Sequence, residues 1–208
     1  MVKERQIEPV KDHEQKKSNY KEHVEKYKKA VSNGFFLEAI LIDYACLEDR
    51  LRYMLYYLGL IRSEKDYKVT DSRSRRVQVF RRILYRYGND RARMSIQTIT
   101  GKREIAASIF KSVLDQSDEE KDQVYLFLKE KINDPVRLQH NLDLLKQIEE
   151  WCKYRNEIIH SLMNKNLDSL HESITEKTIE GFNLFRDLDL QVQWIKRKRI
   201  RSKIGLKE

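Results

Sequence analysis

Apolar residues recur along this chain at intervals of three and four, the period of one face of an α-helix. Over 35–61, Leu37, Leu41, Tyr44, Leu51, Leu55 and Leu58 form a stripe that Phe36, Ile40, Leu47 and Met54 widen. A second long run, 135–163, carries Leu138, Leu142, Leu145, Ile148, Cys152, Ile159 and Leu162, and Asp134-Pro135 opens it with proline at a first helical position. A third, 169–196, uses Ile174, Phe182, Phe185, Leu188, Val192 and Ile195.

Shorter spacings predict further helices. Tyr20, Val24, Tyr27 and Val31 give a thin apolar seam on an otherwise charged helix over 12–32 that docks on the body and ends at Asn33-Gly34. Val77, Phe80, Leu84 and Tyr87 mark a basic helix that stops near Gly88. Ile105, Ile109, Phe110, Val113 and Leu114 mark another, and Ser117-Asp118-Glu119-Glu120 reads as the capped start of a helix reaching Ile132.

With 6 Gly and 2 Pro in 208 residues, the many tight turns of a β-sandwich or a doubly wound sheet have almost no punctuation. The expected fold is an all-α bundle of six to seven helices with three long core helices and no internal repeat. It divides into a charged helical arm (1–33), the bundle (34–195) and a basic tail (196–208).

Charge then changes the picture. The net charge of +9 is concentrated: 62–103 holds 13 basic and 4 acidic residues, and 196–208 holds 7 and 1. Such blocks either coat a solvated face or meet phosphate. Two together favour a polyanion, with Arg73, Arg75, Arg76, Arg81, Arg82, Lys196, Arg197, Lys198 and Arg199 as candidate RNA-binding residues. Tyr67, Tyr85 and Tyr87 lie among the arginines and are available to stack on bases. No run of 18 apolar residues occurs and the chain is charged from its third residue, so neither a membrane span nor a secretory signal is expected. Two separated cysteines, Cys46 and Cys152, both in apolar patterns, suit core positions and a reducing cytoplasm.

Two charges interrupt the apolar stripes: Glu48 in the first long helix and Arg155 in the second. A charge held against a core must be paired or serve a ligand, which makes these two natural partners. An ordinary ion pair inside the bundle is one reading. The other comes from the run Arg155-Asn156-Glu157-Ile158-Ile159-His160. On one helix Arg155 and His160 stand about 140° and 7.5 Å apart, so one copy cannot easily aim both at one atom. Two copies packed antiparallel about a two-fold axis can. A histidine working beside a guanidinium suits phosphodiester cleavage, one moving a proton and the other holding the phosphate. With no metal-ligand cluster or cofactor motif in the sequence, the 2′-hydroxyl of RNA is the expected nucleophile.

This arrangement resembles the HEPN family (higher eukaryotes and prokaryotes nucleotide-binding domain), whose motif is Arg, four to six residues, His, with a polar residue after the Arg. Arg155, Asn156 and His160 match its four-residue form, and Phe35-Phe36-Leu37-Glu38-Ala39-Ile40 with Leu47-Glu48 and Leu51 looks like an earlier core helix of the family. The resemblance covers roughly 35–195. It implies a homodimeric, metal-independent endoribonuclease with a composite site, leaving 2′,3′-cyclic phosphate and 5′-hydroxyl ends, often a toxin or an effector of phage defence. Arg155 would hold the scissile phosphate, His160 do acid/base work, Asn156 orient one of them and Glu48 hold Arg155. In family toxins silenced by a nucleotidyltransferase a tyrosine stands two residues after the histidine; here that position is Leu162, which leaves open any antitoxin or regulatory partner. The alternative is a noncatalytic module of the same fold that binds RNA or nucleotide or mediates assembly.

The remaining candidates take structural readings. His13 and His23 fall in the charged arm, and His140 and His171 lack metal-ligand spacing. Trp151 and Trp194 read as packing residues, Trp151 with a possible place at a dimer seam.

Overall fold

The computed structural model describes residues 13–61, 75–88, 98–115, 122–161 and 168–203. All regular structure among them is helical: α1 (His13–Ser32), α2 (Phe36–Tyr57), α3 (Arg75–Tyr87), α4 (Ile99–Leu114), α5 (Gln123–Ile132), α6 (Pro135–Ser161), α7 (Asp168–Arg197) and the single turn α8 (Ile200–Lys203). The expected all-α bundle is observed, with α2, α6 and α7 as its long members. None of these helices is long and apolar enough to cross a membrane.

The helix ends follow from local chemistry. Gly34 and Gly59 take φ of +74° and +87°, a region open to glycine at no steric cost. At each, the chain reverses through the paired hydrogen bonds that close a helix C-terminus. Gly34 N–H reaches Val31 O and Phe35 N–H reaches Ala30 O at the end of α1; Gly59 N–H reaches Tyr56 O and Leu60 N–H reaches Leu55 O after α2. The helix expected from Ile105 begins earlier, at Ile99, because Thr98 Oγ1 accepts the Gly101 N–H and caps it. Asp122 caps α5 by accepting the Val124 N–H, whereas Ser117-Asp118-Glu119-Glu120 lies outside the described residues.

α2 is the central element, lying along α7 over most of its length and also meeting α1, α4 and, through Tyr44, α6. Leu47, Leu51, Met54 and Leu55 of α2 are fully buried, with Ile148 and Trp151 of α6 and Leu188, Val192 and Ile195 of α7. Trp151 has no exposed surface and donates its indole N–H to Lys177 O on α7, 2.8 Å away, so it is interior and borders no seam. Gly181 makes room for it. A Cβ there would stand 2.5 Å from the Trp151 ring and 2.9 Å from Asp43 Oδ2.

The charged arm docks as its seam predicts. Tyr27 and Ala30 are buried against Ala39, Tyr27 stacks on Phe182 at 4.4 Å, and its hydroxyl donates to Thr178 O. Arg50 of α2 completes the joint, held between the rings of Tyr20 and Tyr53 while it bonds Asp189 at 2.8 Å.

The other end of the chain differs from a free basic tail. Arg199 adopts φ 50° and turns the chain into α8, where Ile200 and Arg201 are buried. Arg201 Nη1 donates to Tyr56 O and Ile61 O at 2.9 and 2.6 Å, and its guanidinium covers the Tyr56 ring at 3.6 Å. A cation there suits the negative end of the α2 dipole: Tyr56 O, which also accepts from Gly59, gains a second bond, and Ile61 O beyond the helix gains a partner. The bundle therefore extends beyond 195 as far as Arg201.

Candidate functional site

The C-terminal turns of α6 carry Arg155, Asn156 and His160. α6 stays regular to Ser161 because its buried face changes from Ile148 and Cys152 to Ile158 and Ser161, leaving Ile159 half-exposed. Tyr154 helps fix this end by sharing a 2.7 Å hydrogen bond with Ser173 on α7.

Arg155 is half-buried. Its guanidinium lies over the ring of Tyr44 on α2, 4.2 Å from the centroid, and Nη1 donates to Asn156 Oδ1 at 2.9 Å. Nε is buried without a hydrogen-bond partner, and no described carboxylate forms an ion pair with the group. The expected Glu48–Arg155 pair is not formed. Glu48 instead accepts from Lys102 Nζ at 2.7 Å, and that lysine is only 1% exposed. A buried ammonium has a far greater need for a carboxylate than a half-exposed guanidinium resting on a ring, which is why Glu48 turns to α4. Glu48 is itself over a third exposed along its side chain, so it is not the charge most deeply held by α2.

The buried charged residues of α2 are Asp43 and Arg50, which occupy gaps in the Phe36, Ile40, Leu47, Met54 row. Asp43 Oδ2 has no hydrogen-bond partner, and burial pushes its carboxyl up from 3.8 to about 8. The upper half of the other stripe turns outward: Leu41 and Ala45 are exposed and Tyr44 is half-buried, beside Arg155.

His160 is exposed and makes no hydrogen bond to any described residue, so no described carbonyl caps its ring. It stands five residues beyond Arg155 on a continuous α-helix, the separation of about 7.5 Å and 140° that helix geometry sets. The single chain does not bring the two together. His23 is exposed, and His140 pairs with Asp187 at 2.9 Å; the side chains of His13 and His171 lie outside the described residues. Burial pushes the Cys152 thiol up to about 11 and the Cys46 thiol up to about 12, so both stay protonated near neutral pH and serve as core residues. Among the described residues no group of three His, Cys, Asp or Glu side chains is placed to hold a metal ion.

The basic candidates divide. Arg73 and Tyr67 lie outside the described residues, and so do the side chains of Arg75 and Arg76, which begin α3. α3 buries Val79, Phe80, Ile83 and Leu84 and turns Arg81, Arg82, Tyr85 and Arg86 outward, with Tyr85 90% exposed. Arg82 approaches Asp122 at 3.9 Å. Tyr87 is half-buried and donates to Asp115 at 2.8 Å, which removes it from any stacking surface. Lys196, Arg197 and Arg199 are exposed and Lys198 is half-buried; Lys196 lies over the Tyr57 ring at 5.6 Å and Lys198 over the Trp194 ring at 5.3 Å.

Lys102 and Tyr44, which shape the surroundings of Arg155, are the residues the sequence reading missed. Lys102 continues the stripe of Ile99, Ile105, Ala106 and Ile109 one turn back. A helix start at Thr98 would have exposed it as a charge in a core position. Tyr44 was visible as an apolar stripe member one turn before Glu48, but its use as a platform depends on a second helix. No family model, curated protein or solved structure matches this chain.

Proposed function

We propose that the protein is an endoribonuclease that cleaves RNA without a metal, at a site built from two copies of the chain. The observation that carries this reading is the state of Arg155. Its guanidinium is held in place by Tyr44 and Asn156 and, among the described residues, has no carboxylate to neutralise it; it shares its helix end with an exposed His160 that has no partner among them. A fixed, unneutralised guanidinium suits a phosphodiester.

Two antiparallel copies of α6 across a two-fold axis would put the His160 of one copy near the Arg155 of the other. The exposed Leu41 and Ala45 of α2 border Tyr44 and offer apolar surface for that contact. One His160 takes the proton from the 2′-hydroxyl as its oxygen bonds to phosphorus. The phosphorus–O5′ bond breaks, and the departing oxygen is protonated by the second His160. Arg155 holds the phosphoryl oxygens as charge develops on them, and Asn156 keeps Arg155 on station. The products are a 2′,3′-cyclic phosphate and a 5′-hydroxyl. The outward face of α3, with Arg81, Arg82 and Tyr85, and the exposed Lys196 and Arg197 are suited to guide the polyanion. Action as a toxin or in phage defence, in the cytoplasm, extends the same reading.

The test is digestion of a mixed RNA pool in EDTA by the wild type, Arg155→Ala and His160→Ala, with end chemistry mapped and mass measured in solution. Cleavage that leaves cyclic phosphates and is lost in both variants, from a dimer, is the expected result. Cleavage undiminished in His160→Ala removes the assignment, and RNA binding with no cleavage favours the noncatalytic module.

A further inference from the structure

Beside Arg155 lies a pocket that the cleavage chemistry leaves unused. It opens between the first turns of α4 and the middle of α6 and encloses about 140 Å³. Ile99, Ile148 and Cys152 form an apolar floor, each less than a tenth exposed. The rim is polar: Thr100, Lys153 and Asn156 are exposed, and Arg103 and Glu149 are half-buried. Asn156 belongs to both places. It lines the pocket and accepts the hydrogen bond from Arg155.

The hydrogen-bonding capacity left in this rim has a definite sign. Glu149 is committed on both oxygens, one to Arg103 at 2.8 Å and the other to Lys153 at 3.1 Å. Asn156 Oδ1 is committed to Arg155, which leaves its Nδ2 to donate. The Lys153 ammonium retains further N–H groups, and the Thr100 hydroxyl rotates to suit a partner. The free groups are thus mainly donors above an apolar floor, one residue from a guanidinium suited to phosphate. Apolar walls with a few convergent polar groups are the general form of a small-molecule site.

We propose that this pocket holds a nucleobase bearing a carbonyl oxygen, belonging to the nucleotide whose phosphate Arg155 binds, and so gives the protein a base preference. This rests on the reading of Arg155 as the phosphate site. Uracil, guanine and cytosine present carbonyl acceptors to Asn156 Nδ2 and Lys153. Adenine presents no carbonyl oxygen, only single-lone-pair ring nitrogens, and so matches these donors less well.

The test uses the full-length protein with the four nucleoside 3′-monophosphates and with ribose 5-phosphate as a base-free control. Affinity is read by titration while the methyl signals of Ile99 and Ile148 are followed by NMR. At least one oxo-base nucleotide should bind roughly tenfold more tightly than ribose 5-phosphate, adenosine 3′-monophosphate should bind least among the nucleotides, and the Ile99 and Ile148 methyls should shift. Thr100→Trp, made at an exposed position, fills the opening and should remove the base-dependent gain, leaving affinity for ribose 5-phosphate unchanged. Arg155→Ala should weaken all five ligands alike. Nucleotides binding no better than ribose 5-phosphate, adenosine 3′-monophosphate binding as tightly as the others, or unmoved Ile99 and Ile148 signals would each overturn the proposal. If base-dependent binding is present but RNA is never cut, the pocket stands and the ribonuclease reading falls. If RNA is cut but base-dependent binding is absent, the pocket falls alone.

Discussion

The guanidinium of Arg155 on α6 rests on the ring of Tyr44 on α2, 4.2 Å from its centroid, and this contact substitutes for the carboxylate a half-buried arginine would otherwise need. An aromatic face attracts the cation without neutralising it, so the guanidinium is fixed and still available to an anion. Tyr44→Phe keeps the ring and should retain cleavage. Tyr44→Leu removes the platform and should lower cleavage by roughly tenfold or more, as loss of a cation–π contact worth about 0.5–2 kcal/mol and of positioning implies. Single-turnover rates of the two variants on one RNA, with melting curves as control, make the comparison.

Glu48 serves Lys102, and its substitution separates stability from activity. Glu48→Gln takes a charged partner from the buried Lys102 ammonium and should cost roughly 1–3 kcal/mol of folding stability, with cleavage per folded molecule little changed. The pair Glu48→Gln, Lys102→Met replaces both charges and should recover part of that loss, since a buried ion pair exchanged for apolar groups is often close to neutral. Urea unfolding of the wild type, both single variants and the double variant measures the coupling.

Asp43 gives the bundle a pH dependence of defined sign. The buried carboxyl faces Tyr27 of α1, Gly181 of α7 and the Trp151 ring of α6. It holds its proton up to about pH 8 in the folded chain, against 3.8 ordinarily. Between those values the folded state binds one proton more than the unfolded state, so this group's contribution is whole below the lower value, falls as pH rises, and is lost above the upper one. Wild type should lose stability from pH 5 to pH 8 at a slope of at most about 1.4 kcal/mol per pH unit from this residue. Asp43→Asn should flatten that slope and gain on the wild type as pH increases. Thermal melts of both proteins across that range decide it.

Arg201 ties the C-terminal turn to the end of α2, so shortening the chain should act in two stages. Removal of 204–208 spares Ile200, Arg201 and the hydrogen bonds of Arg201 to Tyr56 O and Ile61 O, and should lower the melting temperature less than the longer truncation. Removal of 196–208 also deletes Ile200 and Arg201, and the two charge-assisted hydrogen bonds to Tyr56 O and Ile61 O with them. That should cost roughly 3 kcal/mol and lower the melting temperature by several degrees. Arg201→Ala alone should reproduce much of the shift, whereas Lys196→Ala with Arg197→Ala should weaken RNA binding and reduce its salt dependence with little effect on melting.

The sequence by itself determined the all-α class, the three long helices, the glycine-closed end at Gly34, and the docking of the arm through Tyr27. Each follows from helical periodicity and local capping, which act between residues a few positions apart and need no knowledge of a neighbour. The Arg155, Asn156, His160 spacing was legible for the same reason. Which charge meets which was not. Phe36, Ile40, Leu47 and Met54 read as a margin of the α2 stripe, yet their row faces the interior and carries the buried Asp43 and Arg50, while Leu41 and Glu48 turn toward the surface. A wide apolar face on a helix admits several rotations about its axis, and only packing against α7 and α4 selects one. That rotation gave Glu48 to Lys102 and left Arg155 with Tyr44, because pairing across helices depends on the relative position of elements far apart in the chain.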